Sequence, residues 1–156
     1  MNTTSVQVQI TYYSRYIATL RKELDAYPNE EMLWQLVPGT TNSAGNLFLH
    51  LAGNLQHFIG YSLANTTYKR DRAAEFSLSN IPRQTIHSQL NDAEKAVQLA
   101  FGQMTDSQLS NPFPNWIIKH ENASIAHALG QFLSHLAYHT GQINYHRRYF
   151  TAKAEE

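Results

Sequence analysis

His50, His135 and His139 are the residues of this 156-residue chain whose type and spacing best suit chemistry. His135 and His139 are four residues apart, so on a helix they stack one turn above each other on one face, about 6 Å between side-chain origins. Two imidazoles at that spacing can share one ion. Both lie at the edge of an apolar stripe made by Phe132, Leu136 and Ile143, and His50 holds a similar edge position beside Leu47 and Leu51. If the helices carrying these stripes are neighbours, one ring from the first and two from the second close a three-nitrogen site. Neutral imidazole suits Zn, Ni, Cu or Fe(II) far better than Mg or Ca. The chain has no cysteine, which removes disulfides, thiolate ligands and thiol nucleophiles together.

A plainer reading stays open at this point. An HxxxH pair on a helix arises readily by chance, and an imidazole at an apolar edge can be a hydrogen-bonded core residue. His57 and His146 share faces with His50 and His139 but are seven residues away, about 10 Å along a helix axis, too far to join the same ion. His87, His120 and His127 fall on a polar face or in a connection and read as solvent-facing or locally hydrogen-bonded.

Four long helices must position these rings. The first runs over roughly residues 5–26, where Ile10, Tyr13, Ile17, Leu20 and Leu24 recur at three- and four-residue steps. Asp25 to Pro28 breaks that pattern, and Glu31 to Trp34 is a short turn stopped by Pro38-Gly39. The second helix starts from an Asn42-Ser43 cap and runs to about Asn65, with Leu47, Leu51, Leu55, Phe58 and Ile59 as its stripe. Thr66 to Ser79 reads as a polar loop. Ser79-Asn80 followed by Pro82 starts the third helix, whose stripe of Ile86, Leu90, Ala93, Val97, Phe101 and Met104 ends it near Met104. Residues 105–121 are a turn-rich connection with Ile117 and Ile118 pinned to the core. The last helix spans about Asn122 to Phe150. Strand signals are nearly absent, the short alternation Val6 to Ile10 continuing into a helical stripe. The expected fold is all-α, a four-helix bundle in one domain over residues 1–156, with neither repeat nor linker.

Twelve Lys and Arg balance twelve Asp and Glu, so no net field draws the chain to phosphate backbones or anionic lipid, and nucleic acid is not an expected ligand. No run of 18 apolar residues marks a membrane span, and the N-terminus lacks the basic start and apolar core of a signal peptide. A soluble, cytoplasmic protein is expected.

The stretch Asn42-Ser-Ala-Gly-Asn-Leu-Phe-Leu-His50-Leu-Ala-Gly-Asn54, with His135-Leu-Ala-Tyr-His139-Thr-Gly-Gln142, resembles the DinB-like superfamily. The resemblance covers nearly the whole chain, including the lead-in from Trp34 to Gly39. It implies an up-down-down-up bundle, commonly a homodimer, with His50, His135 and His139 around a Ni or Zn ion. Relatives in that superfamily include thiol-dependent S-transferases and a mycothiol-dependent maleylpyruvate isomerase. The implied activity is that of a metal-dependent transferase or hydrolase of a small molecule, with a low-molecular-weight thiol as a possible cosubstrate. A non-catalytic module in which the ion fixes the bundle or is sensed is the alternative.

Three histidines leave at least one coordination position open, as catalytic sites do. The imidazoles then need partners on their far nitrogens. Asn54, one turn after His50, and Tyr138 and Gln142, flanking the fourth-helix pair, are candidates to orient rings or contact substrate; packing or interhelical hydrogen bonding is the simpler role. No carboxylate stands at ligand spacing within either motif, although Asp71 and Glu75 in the second connection are candidates for the site mouth. Trp34, Phe113 and Trp116 either wall a pocket or cap the core.

Overall fold

The structure is a computed structural model, described here for residues 4–114 and 123–154. Its long elements are α1 (Ser5–Asp25), α2 (Ala44–Leu55), α4 (Arg83–Gln103) and α5 (Ile125–Ala154), with a short α3 (Arg72–Ser77) between α2 and α4. Beyond Leu55, α2 continues through a π-helical turn, Gln56–Tyr61, and a last turn, Ser62–Ala64. The fold is all-α, and no strand occurs among the described residues. α1 and α2 each pack along both α4 and α5, which places the core between the four long helices. Among the described residues no helix is long and apolar enough to cross a membrane.

Local chemistry explains the ends. Thr4 accepts from the Gln7 amide while the Gln7 side chain accepts from the Thr4 amide, a capping box. The Asp106 carboxylate adds a second cap by accepting from the amides of Ser5 and Val6. Anionic charge at this end also suits the helix dipole. Tyr13, Ile17, Leu20 and Leu24 then point inward and are fully buried. Ser43 caps α2 by accepting from Asn46 N, and the helix stops beyond its π turn at Asn65, whose φ of 53° is one that asparagine tolerates.

Three expectations change. The stretch Thr66 to Ser79 is more than a polar loop, because Asp71 caps α3 within it by accepting from Ala74 N. Asn46 stitches that helix to α2 by donating to the carbonyls of Glu75 and Leu78. α3 covers the side of α2 that would otherwise meet solvent, so α2 is buried on nearly all sides, Phe48, Leu49 and Ala52 as well as its stripe. At the start of α4 no side chain of Ser79 or Asn80 caps the helix; the Glu30 carboxylate instead accepts from Arg83 N. α5 begins at Ile125 and runs past Phe150 to Ala154, while Asn122, like Trp116, Ile117, Ile118 and His120, lies outside the described residues.

Candidate metal centre

α2 and α5 are neighbours, and their packing brings His50, His135 and His139 together. One nitrogen from each ring lies within 4.8 Å of the others, and this is the group among the described residues able to hold an ion. The rings meet edge to face, with centroids 5.0 Å apart for His50 and His135, 5.3 Å for His50 and His139 and 4.5 Å for His135 and His139. Nε2 of His50 faces Nε2 of His135 at 3.1 Å. Two nitrogens bound at about 2.0–2.1 Å to one ion stand about 2.9–3.4 Å apart, so the facing pair fits a shared metal.

The outer nitrogens select the tautomers. Nδ1 of His50 lies 2.8 Å from Oε2 of Glu75, an acceptor, so it carries the hydrogen and leaves the lone pair on Nε2. Nδ1 of His139 donates in the same way to Oε1 of Gln142 at 2.6 Å, leaving Nε2 free. Gln142 Nε2 donates in turn to the Tyr138 hydroxyl at 3.3 Å, and the Tyr138 ring stands edge-on to His139. Nδ1 of His135 is buried with no hydrogen-bond partner. Each ring thus offers an inward nitrogen, a donor set that suits a borderline transition metal.

Electrostatics keep two of the rings neutral. Burial, then the neighbouring His139, His50 and Arg70, pushes the His135 imidazole down to about 4. Burial also lowers His139, against the upward pull of its Gln142 bond. Around Glu75, burial favours the neutral acid, but hydrogen bonds from His50 and Arg70 and the Arg70 charge outweigh it and hold the carboxyl below its ordinary value. Arg70 grips that carboxylate from Nε at 2.6 Å and Nη2 at 2.8 Å, while its guanidinium lies over the Phe58 ring. Phe76 of α3 packs on the His50 ring with centroids 4.9 Å apart.

Other sequence candidates fall elsewhere. Tyr138 and Gln142 form the relay behind His139, whereas Asn54 is buried on α2 with no hydrogen bond to the three imidazoles among the described residues. Asp71 caps α3, and Glu75 sits behind His50, 5% exposed, rather than at a mouth. His57 stacks on Tyr61 and His146 is buried in α5, both outside the three-histidine group. His87 pairs with Asp25 at 2.7 Å. Trp34 and Phe113 pack on the core, Trp34 over Gly45 and Phe113 against Phe132. Arg70 went unread in the sequence because nothing local marks a partner of position 75 or 50.

A family model described as a protein of unknown function, DUF1572, matches residues 1–155. The chain belongs to the DUF1572 family. Comparison with curated proteins and with solved structures yields no match. In this DUF1572 protein the three imidazoles, with Glu75 and Gln142 behind two of them, form a group that could hold an ion.

Proposed function

We propose that this protein is a DinB-like metal-dependent enzyme that holds one divalent transition-metal ion, Ni or Zn, on His50, His135 and His139, and that it carries out thiol-dependent S-transfer or hydrolysis on a small molecule. The observation that carries the reading is the convergence of three imidazoles from two helices, two of them with their outer nitrogen already donating to a side-chain oxygen. A bound ion with an open position supplies Lewis-acid activation of water or holds a thiol as thiolate. Having no cysteine, the chain draws any thiol from a separate cosubstrate.

The chain's own part is to keep the ligands neutral and aimed. Burial withholds protons from His135 and His139. Glu75 and Gln142 fix which nitrogen of His50 and His139 turns inward.

Metal analysis of purified protein tests this directly: near-stoichiometric Ni or Zn is expected, and His139→Ala should lose most of it. Sub-stoichiometric metal that the substitution leaves unchanged would sink the reading. Co or Ni substitution then separates the two chemistries, since a low-molecular-weight thiol should perturb the optical spectrum if S-transfer is the reaction, and silence with every thiol points to hydrolysis. A second reading, a non-catalytic ion clamp, is favoured by the ligands bridging α2 and α5. It predicts a large loss of melting temperature on metal removal with no response to thiols.

A further inference from the structure

We infer that Glu75 is a positioning residue for His50 and that Gly53 is the seat that lets it reach; this rests on the metal-binding reading above. α3 is a six-residue helix whose one buried residue is Glu75. An element that merely covered the core would turn an apolar side chain inward, because burying a carboxylate is costly unless every oxygen is matched. Here both oxygens are matched: Arg70 Nε donates to Oε1 at 2.6 Å, and Arg70 Nη2 and His50 Nδ1 donate to Oε2, each at 2.8 Å.

The backbone is arranged for that contact. A Cβ at position 53 would collide with Oε1 of Glu75 and stand 3.0 Å from its Cδ and 3.3 Å from the Tyr68 hydroxyl. Only glycine leaves the carboxylate room beside α2 one turn from His50. The clash falls on the far end of a flexible side chain, so Gly53→Ala is expected to keep the fold and to displace the Glu75 carboxylate from His50.

The three imidazoles are supported unequally. His50 donates to an ionised carboxylate, His139 to a neutral amide, and Nδ1 of His135 has no partner. An N–H donated to a carboxylate raises the basicity of the opposite nitrogen and locks the ring's rotation, and losing such a partner costs about ten- to a hundredfold in metal affinity. His50 is the ligand on which affinity depends most.

Metal-free protein titrated with Co(II) tests this. Glu75→Gln and Gly53→Ala are each expected to weaken Co(II) binding about ten- to a hundredfold relative to wild type. Wild-type affinity in both variants overturns the inference and leaves the metal site standing. A wild-type chain that does not bind Co(II) removes the metal reading and the inference with it. Should Glu75→Gln fail to fold, Gly53→Ala and the imidazole nitrogen spectrum of the unsubstituted protein decide. His50 is expected to carry its hydrogen on Nδ1, and a hydrogen on Nε2 in the metal-free protein overturns the assignment.

Discussion

Nε2 of His50 and Nε2 of His135 face each other at 3.1 Å across the interface of α2 and α5. His50 already carries its hydrogen on Nδ1 toward Glu75, so in metal-free protein His135 must donate from Nε2, which leaves its buried Nδ1 as a lone pair without a partner. A shared ion takes the lone pair of His50 Nε2 and, once the His135 hydrogen has moved from Nε2 to Nδ1, that of His135 Nε2 as well. Zinc added to metal-free protein should therefore raise the melting temperature, with about 2.7 kcal/mol of added stability at a free concentration one hundred times Kd. Superimposable melts with and without zinc would count against the site.

Acid should destabilise the metal-free fold. The unfolded chain protonates His135 near 6.5, whereas the folded chain withholds the proton until about 4. Stability from this group is thus fully present above pH 6.5 and is lost as pH falls from 6.5 toward 4; His139 and His146, both lowered by burial, act in the same direction. Urea unfolding at pH 7.5 and 4.5 checks the sign, and a higher midpoint at the acid value would contradict it. Bound metal should be lost only as pH falls toward about 4, where the buried His135 imidazole takes up its proton, because imidazole must be neutral to ligate.

The relay behind His139 gives a graded expectation. Gln142→Ala removes the acceptor for Nδ1 and should weaken Co(II) binding by about tenfold, the low end for such partners. Tyr138→Phe, which deletes only a hydroxyl held at 3.3 Å on an exposed residue, should change affinity less. Isothermal titration of both variants orders them, and the reverse order would refute the relay.

Tyr13 ties α1 to α5. Its fully buried hydroxyl donates to the Leu129 carbonyl at 2.7 Å, and burial pushes the phenol well above its ordinary value. Tyr13→Phe keeps the ring and should cost about 1 kcal/mol, seen as a lower urea midpoint with unchanged slope. An unchanged midpoint would mean the bond contributes nothing net.

Gly45 lies beneath the Trp34 ring, where a Cβ would come 2.6 Å from two ring carbons. Gly45→Ala must push the indole outward, at about 1–3 kcal/mol. Tryptophan emission should shift to the red, and an unshifted spectrum with wild-type stability would show that the ring adapts in place.

Much of this was legible in the residues. The stripes of all four long helices, α1, α2, α4 and α5, could be read from the residues, and the three histidines stood out because each sits at the edge of one of them. What the stripe of α2 did not show was its burial on nearly all sides, Phe48, Leu49 and Ala52 included, because a helix covered all round has little periodicity. α3 was hidden for the opposite reason: six residues make fewer than two turns and show no period. Glu75 consequently looked like a loop carboxylate, although it ends 2.8 Å from a histidine 25 residues earlier in the chain. The Glu30 carboxylate at the start of α4 was equally invisible, since its partner Arg83 is 53 residues away.

The tight fit between Gly53 and Glu75 has a hereditary consequence. A lineage that replaces the glutamate releases position 53 from glycine, and one that first gains a side chain at 53 dislodges the glutamate from His50. Changes at these two sites should therefore travel together, with alanine or serine at 53 found where residue 75 is no longer acidic.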